Sequence, residues 1–193
     1  MDKVKAFEPE LSLIKDVLIK EFAINAIKIL PDYFFETPAS STGKYHPAYS
    51  LGNGGLLRHS KAAVRIAVEL ARLEWWHFSD EEVDLALVAL MLHDGWKHGE
   101  QYGKYSIAEH PTVATFALEN NEDLQQKRVI TDDQFQTIVS CIKTHMGQWV
   151  THPRTQEVIL QKPQTPLQKF VHLSDYIASR KCLTMEFDVP LSR

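Results

Sequence analysis

Cysteine is scarce in this chain: Cys141 and Cys182 are the only two among 193 residues, in no CxxC arrangement. That excludes a disulfide framework and leaves two reduced thiols. Excess charge is lacking as well. At a net −4 the sequence has nothing of the basic footprint of a dedicated duplex nucleic-acid binder. No apolar run approaches the roughly 18 residues that span a bilayer. The N-terminal stretch, with Lys3, Lys5, Glu8 and Glu10, has no signal-peptide organisation. The expectation is a cytoplasmic protein with neither membrane nor duplex nucleic acid among its partners. Alternating strand patterns, internal repeats and low-complexity tracts are absent too. Gly43-Lys44 suggests a phosphate-binding P-loop, but Pro38 stands where its first glycine belongs and Tyr45 where its Ser/Thr belongs. Nothing resembles a nucleophile elbow, so serine or cysteine nucleophilic catalysis is set aside.

What is present is an ordinary globular balance, 44% hydrophobic and 24% charged, sufficient to bury a core in one domain. Helical spacing dominates. Leu11, Ile14, Leu18 and Phe22 recur at that spacing, and Ile24, Ile27 and Leu30 continue it until Pro31 interrupts. Residues 37–55 read as a loop rich in Pro, Ser, Gly and Asn. Val64, Ala67, Leu70 and Ala71 mark a helix starting near Leu56. Ser79 with Glu82 forms a capping box that opens a helix ending at His93. A helix from His110-Pro111 to about Asn120 follows, and Thr131 with Gln134 caps another that reaches His145. Thr165-Pro166 with Gln168 caps the last clear helix, which carries Asp175. The fold class is therefore all-α, a single-domain helical bundle. Residues 1–36 form an N-terminal helical segment packing on the core, 37–55 a loop near the active site, and 56–193 the core itself.

His93-Asp94 is the most informative dipeptide. Every residue from Leu85 to Leu92 is hydrophobic, so the segment reads as buried, and unpaired polar groups at the end of a buried element are costly. A metal ion resolves the conflict. Imidazole and carboxylate suit divalent transition metals, and His59, His110, His145 and Asp175 are further candidate ligands.

The order His59, His93-Asp94, Asp175 resembles the HD-domain superfamily of metal-dependent phosphohydrolases. The likeness covers roughly residues 45–181. Gly54-Gly55-Leu56-Leu57-Arg58-His59 is similar to the GGLLxH opening of many such domains, including the HD portion of some exoribonucleases. Lys97 falls at the lysine of the family's HDxxK pattern, and His110 and His145 match the two additional histidines of the dinuclear branch. Leu173-Ser174-Asp175-Tyr176-Ile177, with Arg180 five residues after the aspartate, is similar to the closing motif of members that hydrolyse diadenosine tetraphosphate. The sequence departs from the family where Trp96 puts a bulky ring beside the metal site, and where Pro38–Pro47 has no counterpart.

The resemblance implies an HD-type helical core and a site of two divalent transition metals (Fe, Mn, Co, Ni or Zn). His59, His93, Asp94 and Asp175 would hold the first, and Asp94 would bridge to a second completed by His110 and His145. It implies a phosphohydrolase that cleaves a phosphoester or phosphoanhydride bond through a metal-activated hydroxide. It implies that Asp94 and Lys97 carry the catalysis. The partner is a small anionic phosphate-containing substrate, a nucleotide, contacted by Lys97, Arg180, His46 and Trp96. Two alternatives stay open: a nucleotide-sensing HD module without turnover, and an enzyme acting on short oligonucleotides or RNA ends. His172, one turn before Asp175, reads as a supporting or packing residue. His98 reads as a solvated loop residue or as a proton donor to a leaving group. Trp149, near the ligands, reads as core or as a ring that stacks on a base.

Overall fold

The computed structural model describes residues 2–40, 43, 44 and 46–193, and among these it is helical with no strand. Two single turns, α1 (Lys3–Ala6) and α2 (Glu8–Leu11), precede α3 (Val17–Lys28). The helix that the 11–30 periodicity suggests is thus broken at residues 12–16, for a visible reason. The backbone amides of Lys15 and Asp16 donate to the buried Asp84 carboxylate at 3.1 and 2.8 Å, and Asp16 itself caps Leu18 and Ile19. Donors committed to those partners cannot join a helical ladder. Leu18 consequently lies half exposed, while Ile19, Phe22, Ala23, Ala26 and Ile27 form the buried face.

After a 3₁₀ turn at Asp32–Phe35 and the loop with a second turn at Ala48–Ser50, α4 (Gly55–Ala71) begins. α5 (Asp80–Leu92) is the central helix. Every residue from Val83 to Leu92 is buried, and it packs against both α3 and α4. A helix apolar all round belongs inside a protein. α6 (His110–Asn120) leads to α7 (Glu122–Gln126), a short helix capped by Asn121 that the hydrophobic periodicity does not reveal. α8 (Asp132–Thr144) and α9 (Pro166–Ala178) complete the bundle, with α5 and α4 both against α9 and α5 against α8.

The N-terminal segment is tied down by charge as well as by apolar contact. Glu10 is fully buried on α2, where Arg65 donates to it at 3.1 Å and Lys61 sits at 3.3 Å, both from α4. Phe7 packs against Phe34 and Phe35 in the same corner.

Candidate metal centre

Local sequence explains how each ligand-type side chain is aimed. Gly54 precedes α4 with a left-handed φ of 69°, and a Cβ on Gly55 would collide with the carbonyl oxygen of Ser50. The Gly54-Gly55 pair therefore lets the backbone of Pro38 and Ser50 lie directly against the start of α4, which carries His59. α5 and α8 end at the same place, His93 and His145 being their C-cap residues. Asp94 follows His93, His110 is the first residue of α6, and Asp175 lies in the last turn of α9. Three helix C-termini (α5, α8 and α9) thus direct partial negative charge at one point, which favours a cation there.

The side chains converge. His59 Nε2 lies 2.9 Å from Asp175 Oδ1 and 3.6 Å from Asp94 Oδ2. His93 Nε2 is 3.5 Å from both carboxylates. On the other side of Asp94, Oδ1 meets His110 Nε2 at 3.0 Å and His145 Nε2 at 3.7 Å. Among the described residues two groups have the spacing of metal ligands, His59 with His93 and Asp175, and His93 with Asp94 and His145. Asp94 thus stands between histidines from both halves of the cluster.

Tautomers decide what these contacts mean. His93, His110 and His145 each donate Nδ1–H to a backbone carbonyl three residues earlier, at 2.8 Å. A carbonyl only accepts, so in the neutral ring the inward Nε2 is a lone pair. His110 and His145 therefore point lone pairs at each other across 3.1 Å, and His93 Nε2 is buried with no hydrogen-bond partner among the described residues. A proton satisfies one or two of these acceptors. A divalent cation satisfies several at once, and the nitrogen-rich donor set suits a transition metal better than an all-oxygen site would. The residues present fit metal binding.

Electrostatics carry the same signature. Burial works to raise Asp94, but Lys97 and His93 outweigh it and hold the carboxyl well below its ordinary value. Asp175 is likewise held low against burial, by the hydrogen bond from His59 and the charge of His93 close by. His93 and His145 are pushed in opposite directions although both are buried. Burial opposes the charge on His93, yet the two carboxylates raise it to about 10. Burial and the nearby charges of His93 and His110 push His145 down to about 3. His93 faces both carboxylates at 3.5 Å, whereas His145 faces Asp94 at 3.7 Å and packs against the His93 and His110 rings.

Above the cluster opens a cleft of about 700 Å³, lined by His46, His59, Asp94, Lys97, His110, His145, Asp175, Trp149, Tyr176 and Arg180 among others. Lys97 Nζ lies 2.6 Å from Asp94 Oδ2. His46 arrives from the 37–55 loop with its ring 5.6 Å from that of His59. Its Nδ1 has no partner among the described residues, and burial pushes the ring down to about 3. The Arg180 guanidinium sits 4.1 Å from the centre of the Tyr176 ring, donating to the Tyr176 carbonyl and to Ser179 Oγ.

Two expectations need correction. Trp96 does not reach the cleft: it is 6% exposed, belongs to the apolar core, and borders a separate depression with Ile29 and Phe116. Successive residues of the turn after His93 point to different sides, Lys97 to Asp94 and Trp96 to the apolar seam. His98 is not a solvated loop residue. It is buried, donates Nδ1–H to the Gly103 carbonyl, and stays outside the cleft lining. His172 supports its neighbours, donating to the His145 carbonyl at 2.7 Å. Tyr176 was missed as a cleft residue, although it lies inside the closing motif. Its one signal was adjacency to Asp175.

A family model described as HD domain matches residues 56–180. No curated protein and no solved structure matches the chain.

Proposed function

The chain belongs to the HD-domain family of metal-dependent phosphohydrolases, and on that premise we propose that it cleaves a phosphoester or phosphoanhydride bond of a nucleotide, using the cluster around Asp94. The observation that carries this reading is the Asp94 carboxylate, with His110 on one oxygen and Lys97 on the other, at the floor of a cleft walled by Arg180. His59, His93, Asp94 and Asp175 would hold one divalent ion and Asp94, His110 and His145 a second. When bound, such ions polarise a phosphoryl oxygen and lower the pKa of water from 15.7 toward about 7.

The chain's own groups do the rest. Asp94 and Asp175 stay ionised in a buried setting, so the site keeps two carboxylates at neutral pH. Lys97 and Arg180 neutralise phosphate charge, lysine as a point charge and arginine through its planar fork. His46 lines the cleft as a neutral imidazole and would hydrogen-bond a phosphoryl or leaving-group oxygen there. Fe, Mn, Co, Ni and Zn are the candidate ions.

The test is phosphate release from a panel of nucleoside mono-, di- and triphosphates, dinucleoside polyphosphates, cyclic nucleotides and short oligonucleotides. The protein is loaded in turn with each metal. Turnover of at least one member is expected, and Asp94→Ala should lower it by about 10³-fold while the far-UV helical signal persists. Equal rates from wild type and variant would remove Asp94 from the mechanism. Tight nucleotide binding with no turnover across the panel would make the protein a nucleotide-sensing module instead.

A further inference from the structure

Part of the cleft wall is built from two rings, Trp149 and Tyr176, each close in sequence to a candidate ligand. Trp149 lies four residues after His145, and Gly147 between them takes a φ of 63° that turns the chain back. A Cβ on Gly147 would run into the His172 imidazole, so the turn, His172 and the His145 carbonyl form one close-packed unit. Tyr176 directly follows Asp175 on α9. The two rings stack, with centroids 5.8 Å apart and planes 16° from parallel, and Arg180 covers Tyr176 at 4.1 Å. Yet the Trp149 indole remains 46% exposed while it lines the cleft.

An open, flat indole braced by a second ring is a poor surface to leave in water and a good one on which to lay another flat ring. Its bracing ring adjoins Asp175, so whatever stacks there is held at a fixed offset from the cluster around Asp94. We propose that the Trp149–Tyr176 pair is the seat of the substrate's nucleobase, with Arg180 beside it toward the sugar-phosphate. This deepens, and rests on, the reading of the site as a nucleotide phosphohydrolase. It specifies an unpaired nucleoside as the recognised unit, since a base held in a duplex cannot present its face to Trp149. Stacking draws on ring area rather than on an edge pattern, so purines should bind better than pyrimidines and adenine and guanine about equally.

The experiment uses the full metal-loaded chain and ligands that cannot be hydrolysed at phosphorus: adenosine, guanosine, uridine and ribose, titrated by equilibrium dialysis. Wild type should bind adenosine and guanosine within a few-fold of each other, uridine more weakly, and ribose weakest. Trp149→Ala should weaken adenosine about ten-fold or more, and Trp149→Phe should restore most of that loss. Trp75→Ala, which removes an exposed indole remote from the cleft, should change nothing. Adenosine binding no tighter than ribose, or unaffected by Trp149→Ala, would overturn the seat. Turnover of ribose 5-phosphate by the wild type reports separately on the phosphohydrolase reading. Turnover without adenosine binding overturns the seat alone, whereas adenosine binding with no phosphoester turned over supports the seat and counts against hydrolysis.

Discussion

Helices α5, α8 and α9 begin together at one groove and finish together at the cleft, and their two ends are satisfied by opposite means. At the groove, of about 860 Å³, Ser79, Thr131 and Thr165 are the three N-caps. Each hydroxyl accepts from the amide three residues on, at 3.2 Å, and each Glu82, Gln134 or Gln168 side chain reaches back to the cap. Every partner is a sequence neighbour. At the cleft the partners come from far along the chain, His59 and Asp175 being 116 residues apart and His110 and His145 35 apart. There the inward nitrogens outnumber the protons that could join them. One end is complete by itself, and the other is built to be completed by a cation.

The strongest way to sharpen that contrast is to remove histidines from the cleft end. His110→Ala and His145→Ala should each lower metal content by about one equivalent and turnover by about 10²-fold or more. The double variant should be little worse than either single one, as expected of residues that act as a unit. Elemental analysis with a double-mutant cycle in kcat/KM checks this. Additive losses at unchanged metal content would recast both as substrate contacts around a single ion.

A smaller effect is expected from pH in the metal-free protein. His93 is raised to about 10 from an ordinary 6.5, so its contribution to stability is complete below about 6.5 and is lost as pH climbs toward 10. His145 is lowered to about 3 and acts in the reverse sense: as pH falls from 6.5 toward 3 the unfolded ring takes a proton that the folded one refuses. Thermal stability in chelator should therefore peak near pH 6.5. Saturating Mn²⁺ should flatten the alkaline arm between about pH 7 and 9, because the ion takes the proton's place on His93. A melting temperature that keeps rising to pH 9 in chelator would break the comparison.

The least effect belongs to the groove. Thr131→Ala removes one cap and should cost about 1 kcal/mol, about 2–4 °C in a chain of this size, with metal content and turnover unchanged. Loss of metal from that variant would show that the two ends are not independent.

Much of this division was readable in the residues. The capping boxes at Ser79, Thr131 and Thr165 announce three helix starts, because they use neighbours three apart. The apolar run to Leu92 announces the buried α5. His59, His93, Asp94, His110, His145 and Asp175 were legible as a set, because ligand chemistry narrows the residue types and the HD-like order narrows the positions. The break at residues 12–16 was not legible, since it depends on Asp84, about seventy residues away. Trp96 and Lys97 stand side by side in sequence and face opposite ways in the fold, a distinction periodicity does not make inside a turn. His98 was misread for the same reason.

The sequence by itself determined where helices begin, which helix is buried throughout, and which side chains can ligate a metal. These follow from hydrogen bonds between near neighbours, from hydropathy and from side-chain chemistry. Only the tertiary structure decided that Asp94 stands between the two halves of the cluster and that Trp149 is braced by Tyr176. It also decided that Trp96 is withdrawn into the core. Those outcomes depend on how α4, α5, α6, α8 and α9 pack against one another, and packing fixes the direction of a side chain only when its distant neighbours are in place.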